Sequence, residues 1–193
     1  MDRYKIIIAA QNKILTSVKN LLTTSLYEVF DAASSGNEAF RKASAVFPDL
    51  LIADYSLSDM TGIDLAKMAE DSRLCPVIVL ANQAQSEYVD DLKGNSLDIF
   101  CVTKPLNAQV LNHTISLVLK LTHRIQEYEE QVSELKHQIE DRKLIEKAKG
   151  ILMNKFNMSE DDAYKEMRKK AMNASKSLGQ IAKTIIDMFE VFK

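Results

Sequence analysis

Asp54 ends a nearly all-apolar run over 49–53, and Lys104 follows a second apolar run over 99–102. A carboxylate and an ammonium at such ends stand where strand–helix folds place their ligands. A different chemistry is written nearer the C-terminus. Lys143, Lys147, Gly150 and Asn154 recur at i, i+4, i+7 and i+11, one exposed face of a helix. Lys165, Arg168 and Lys169, with Lys170 beside them, fall on the outer side of a second helix. Such cations neutralise phosphates. No nucleophile–base pair and no Gly-rich phosphate loop accompanies these groups, so turnover of a diffusible substrate is not expected. Cys75 and Cys101 each sit in an apolar run without metal-like spacing and read as reduced core residues of a cytoplasmic protein.

Strands must hold the first pair of groups. Ile6, Ile7 and Ile8 form a β-branched run, and Ile14, Leu15, Val18, Leu21 and Leu22 then repeat at helical spacing. Further strands are expected at 27–32, 49–53, 77–80 and 99–102, and helices over 12–22 and 36–47, from Gly62 and after Pro105. Strands alternating with helices of about ten residues imply right-handed crossovers. The expected fold is a flavodoxin-like, doubly wound, five-stranded parallel sheet. The run over 49–53 suits a strand buried on both faces.

A seam follows. Val118, Ile125, Val132 and Ile139 occupy one apolar position of a seven-residue repeat, and Leu121, Tyr128 and Leu135 the other. That 4-3 spacing asks for a partner, and β-branched residues at the first position favour a parallel two-stranded coiled coil. At about 1.5 Å per residue the seam would be a rod of roughly 35 Å. The competing reading is an amphipathic helix folded back on its own domain. No Gly or Pro occurs from 106 to 149, so one helix is expected from the first domain through the coil into the last.

Beyond the seam the pattern changes to three short amphipathic helices sharing one core. Leu144, Ile145, Ala148, Ile151, Leu152 and Phe156 form the apolar face of the first. Ala163, Tyr164, Met167 and Ala171 form that of the second, and Leu178, Ile181, Ala182, Ile185, Ile186 and Phe189 that of the third. Ser159 with Asp162, and Ser177 with Gln180, have the spacing of capping boxes. The class is therefore α/β plus all-α. Residues 142–193 hold 12 Lys and Arg against 7 Asp and Glu, a charge of +5. Residues 1–141 hold 13 against 20, a charge of −7. The basic end implies a polyanion partner or a solvated basic face. The apolar run over 6–10 is too short for a signal peptide or a membrane span.

DYSLSDMTG over 54–62 and TKP over 103–105 resemble the acceptor loop and lysine loop of response-regulator receiver domains. The resemblance covers about residues 4–119. It implies aspartyl phosphorylation at Asp54 with Lys104 holding the phosphoryl oxygens, and a sensor histidine kinase as donor. In-line transfer onto a carboxylate needs such cations. Several positions depart from the family pattern. Ala9, Ala10 and Gln11 stand where receivers carry the acidic pair that holds Mg²⁺, and Asp59 nearby is a poor substitute. Ala81 replaces the Thr or Ser ending strand four, Cys101 the aromatic before the lysine, and Ser58 the Pro after the acceptor. No cofactor is expected unless phosphorylation is retained with Mg²⁺. The favoured reading is a pseudo-receiver that signals by binding a sequestering sensor or by dimerising. Metal-weakened phosphorylation, and a strand-end carboxylate merely paired with Lys104, stand beside it.

Arg142, then AKGILM over 148–153, MSEDDAYKEMRKKAM over 158–172 and LGQIAKTII over 178–186 closely resemble the ANTAR domain across all three helices. The resemblance implies a dimeric antiterminator that binds paired stem-loops in leader RNA. It adds Lys149, within the AKG motif, to the candidate RNA contacts. The domain bounds expected are a receiver at 4–119, a coiled coil at 118–141 and an ANTAR domain at 126–188 whose first helix continues the coil. Gly150 on an exposed helix face implies close approach, either of RNA backbone or of a neighbouring helix. Arg168 can also stack on or bond to a loop base. Tyr164 reads as core or as a stacking platform. The alternatives are a helix-turn-helix reader of duplex DNA, for which Ser177, Leu178, Gly179 and Gln180 make a poor reading head, and a scaffold for an acidic protein.

Overall fold

A computed structural model describes residues 3–22, 26–93 and 99–190. The chain forms two compact units, 1–125 and 126–193. In the first, β1 (Tyr4–Ala9), α1 (Asn12–Leu21), β2 (Tyr27–Ala33), α2 (Gly36–Val46), β3 (Leu50–Asp54), α3 (Gly62–Asp71), β4 (Val77–Ala81), α4 (Gln83–Lys93) and β5 (Phe100–Thr103) alternate. The helix α5 (Ala108–Phe156) then contributes to both units, and α6 (Glu160–Ala174) and α7 (Leu178–Glu190) complete the second. The five strands are parallel in the order β2-β1-β3-β4-β5, the doubly wound sheet expected. The third and fifth strands end one residue later than expected and so include Asp54 and Thr103.

Alternation along the strands builds two cores. Ile7, Ala9, Leu51, Ala53 and Val79 face one side, against Ala39, Ala43, Leu65 and Val89 of α2, α3 and α4. Ile6, Ile8, Leu50, Ile52, Ile78 and Leu80 face the other, against Val18 of α1 and Leu111, Ile115 and Val118 of α5. Every residue of β3 and β4 is buried, as a central parallel strand demands. Asn107 opens α5, its Oδ1 accepting from the backbone N–H groups of Gln109 at 2.8 Å and Val110 at 3.2 Å.

Val118 corrects the expected seam. It is wholly buried in the sheet-packed core, not offered to a partner. The sheet takes the face formed by Leu111, Ile115 and Val118, and Val118 lies roughly 60° round the helix from Leu121. Leu117 is exposed instead, in line with Val110 before it and Leu121 after it.

The second unit has the expected small core of Ala148, Leu152, Ala163, Met167, Ala171, Ile181, Ala182, Ile185 and Ile186. Phe156 meets Phe189 edge to face at 5.8 Å. Ser177 and Gln180 form both arms of a capping box, at 3.0 and 3.1 Å. The helix passes through Gly150 unbroken and ends at Phe156, before the left-handed Asn157. Tyr164 is a second correction: it lies exposed rather than inward, because Ala163, Met167 and Ala171 already fill the narrow contact. Among the described residues, no helix is long and apolar enough to cross a membrane.

Candidate functional site

At the carboxyl end of the sheet, Asp54 is almost completely buried and Lys104 reaches it, Nζ to Oδ1 2.5 Å. Adjacent parallel strands make the meeting, since β3 and β5 flank β4 and both residues lie at their ends. Gly62 is required here: a Cβ on it would sit 2.6 Å from the Asp54 carbonyl oxygen, so only glycine lets α3 start against the acceptor loop. Thr61 and Asp64 close a capping box at that start.

The residues present do not fit the Mg²⁺ that receivers use. Ala9 pairs with Ala53 in register, which sets Ala10 beside Asp54, and both alanines are buried methyl groups. Gln11 carries no charge. The Asp59 carboxylate is committed elsewhere: it accepts from the N–H groups of Gly36 at 2.7 Å and Asn37 at 3.0 Å, and from Asn37 Nδ2 at 2.9 Å. Those bonds cap α2 and hold the Asp59 carboxyl below its usual range. Among the described residues, Asp54 thus offers the lone carboxylate, already bonded to a cation. Among the described residues, no cluster of three or more His, Cys, Asp or Glu is arranged to hold a metal ion. Ala81 is buried and Cys101 lies 3.8 Å from Ser86 Oγ.

The second candidate surface lies wholly in the C-terminal unit. Lys143 and Lys147 are exposed on α5, and Lys165, Arg168, Lys169 and Lys170 on α6. A Cβ at Gly150 would meet nothing within 4 Å, so among the described residues no neighbouring helix accounts for that glycine. Lys149 departs from its expected role. It is only 8% exposed and bonds Glu146 at 2.8 Å and Glu160 at 2.7 Å. Those hydrogen bonds raise its pKa, and its own bond holds Glu160 below the usual range. It therefore ties α5 to the first residue of α6 rather than facing a ligand. Sequence reasoning missed this pair because its partner arrives through tertiary structure. It also missed Asp141, whose carboxylate lies against Gly179 at the start of α7 and would clash with any Cβ there. Leu121, Ile125, Tyr128, Val132, Leu135 and Ile139 of the expected seam are all exposed.

Sheet order, the buried Asp54 and its lysine define a receiver, and residues 6–116 match the response regulator receiver domain family. Residues 133–186 match the ANTAR domain. The chain belongs to the response regulators that join a receiver domain to a C-terminal ANTAR domain. The transcriptional regulatory protein PdtaR of Mycobacterium tuberculosis is 29% identical over 184 residues, covering 95% of this chain and 89% of that protein. The nitrate regulatory protein of Klebsiella oxytoca is 38% identical over 72 residues, 37% of this chain and 18% of that one. Among solved structures, a CheY-like receiver domain protein from Methanospirillum hungatei JF-1 is similar at a TM-score of 0.55 and 27% identity, over 64% of this chain and 98% of that one.

Proposed function

We propose that this regulator is a cytoplasmic transcription antiterminator that binds stem-loop leader RNA as a dimer. The observation that carries the reading is the exposed cationic surface of α5 and α6 inside the ANTAR match. Lys143, Lys165, Arg168 and Lys169 are exposed there without an acidic partner among the described residues. RNA phosphates are the polyanion such a surface suits, and Gly150 leaves room for backbone approach. The duplex-DNA alternative is disfavoured, because Asp141 crowds the start of α7 where a reading helix would meet base edges.

The second copy covers the exposed stripe Leu121, Ile125, Tyr128, Val132, Leu135 and Ile139 in a parallel coiled coil, with Leu117 in the place expected for Val118. The receiver acts as a pseudo-receiver, in which the Asp54–Lys104 pair stands in place of phosphorylation and a sensor protein binds the domain to control it. Metal-assisted phosphorylation lacks its carboxylates.

The test is binding of the full chain to a leader RNA carrying two stem-loops, over a salt series. A single-loop RNA and a duplex DNA of equal charge are the controls. Preference for the two-loop RNA that persists as salt rises is expected. Equal binding to all three, collapsing together, would leave only a basic surface and favour a protein-scaffold role.

A further inference from the structure

The outer face of α6 carries a feature that phosphate contacts leave unused. Lys165, Arg168, Lys169, Met172 and Asn173 line one open depression. Met172 is 74% exposed, and it follows Arg168 by four residues and Lys165 by seven, so the three share a stripe. Among the described residues, the side chains of Lys165, Arg168, Lys169 and Asn173 make no hydrogen bond or ion pair. Neighbouring cations differ: Lys170 approaches Glu166 at 3.9 Å, and Lys149 is doubly paired. The depression therefore combines an exposed thioether, an exposed carboxamide and three un-neutralised cations.

A thioether offers nothing to a phosphate. It does offer a soft, adaptable contact to a ring, with the sulfur favourable against an aromatic system. A carboxamide presents both donors and an acceptor and can read a base edge. Cations at the rim match the phosphates on either side of such a base. A single unstacked nucleotide supplies a flat ring, a polar edge and flanking negative charge together, and single-stranded loops are where bases become available in this way. We infer that Met172 and Asn173 form a subsite for one unstacked base of a stem-loop RNA, with Lys165, Arg168 and Lys169 on the flanking phosphates. This rests on the RNA reading above and names the part of the RNA that α6 takes.

The experiment uses the full chain and a two-stem-loop leader RNA with 2-aminopurine placed at each loop position in turn. Binding by the unaltered protein is expected to change the fluorescence at one loop position. Met172→Ala is expected to abolish that change and weaken binding about 2- to 10-fold. It leaves the slope of log K against log salt unaltered, because no charge is lost. Lys165→Gln is expected to do the reverse, flattening the slope by about 0.7 while keeping the fluorescence change. Met172 is exposed and outside the core, and Met172→Leu, which keeps an apolar contact, is expected to retain most of the affinity. A Met172→Ala protein with unaltered affinity and fluorescence response overturns the inference and leaves RNA binding standing. Absence of any stem-loop preference in the unaltered protein overturns the RNA reading and the inference together.

Discussion

Lys149 on α5 bonds Glu160, the first residue of α6, at 2.7 Å, and so joins two helices through a side chain expected to face RNA. Replacing it tests structure against recognition. Lys149→Met is expected to lower the urea midpoint of the C-terminal unit, because Glu146 and Glu160 lose their shared cation. It leaves the salt slope of RNA binding unchanged. A phosphate contact would instead flatten that slope by about 0.7. The pair also sets a pH signature. Glu160 titrates below its ordinary 4.5, so its contribution is full above that value and is lost as pH falls through its lowered one. Lys149 titrates above its ordinary 10.5, so its contribution is full below that value and is lost as pH rises through its raised one. The stability gap between Lys149→Met and the unaltered protein is therefore flat between those values and closes toward acid. Urea midpoints at pH 7 and pH 3 check it.

The two ends of the apolar repeat are expected to separate cleanly. Val118→Ala removes a wholly buried side chain from the sheet-packed core and costs about 1–3 kcal/mol of receiver stability, without changing the oligomeric state. Leu135→Glu places a charge on the exposed stripe and is expected to yield monomer, with little change in the stability of either unit. Sedimentation and denaturant unfolding of both variants check this. Dimer loss in Val118→Ala, or its absence in Leu135→Glu, would be the wrong pattern for a seam that excludes Val118.

Mg²⁺ titration addresses the receiver. The unaltered protein is expected to show no saturable calorimetric response to millimolar Mg²⁺, since among the described residues Asp54 is the one carboxylate facing the site and Lys104 already bonds it. Ala10→Asp combined with Gln11→Asp restores carboxylates beside Asp54 and is expected to create millimolar binding. Asp54→Ala is expected to leave antitermination responsive to its signal. Loss of response in Asp54→Ala alone would return phosphorylation to the mechanism.

The sheet was legible because its central strands are buried on both faces: the runs over 50–54 and 77–81 have no solvent side to obscure them. Asp54 and Lys104 were legible for the same reason, as charges that end apolar runs. Val118 was not, because the sheet-facing stripe and the exposed stripe of α5 lie close together and a 4-3 spacing fits either. Tyr164 adjoins three inward residues and could be assigned outward only once Ala163, Met167 and Ala171 were seen to fill the contact. Lys149 was misread, and the engagement of Asp59 was not foreseen, for a shared cause. Each has a partner set by tertiary approach, Glu160 for one and the start of α2 for the other, and no local spacing announces it.

Gly150 separates stability from function most directly. It lies within α5, where glycine is about 1 kcal/mol worse than alanine, and an added Cβ would meet nothing within 4 Å among the described residues. A structural role would need a close neighbour, and the described residues provide none. Gly150→Ala is therefore expected to stabilise the C-terminal unit by about 0.5–1 kcal/mol, read as a higher urea midpoint. Lys143 and Lys147 lie on the same helix face, two turns and one turn before it, so a ligand held by them approaches the bare backbone at 150. A methyl group there holds that ligand off, and RNA affinity is expected to fall several-fold while stability rises. A variant that gains stability and keeps its full affinity would remove the backbone at 150 from the RNA surface.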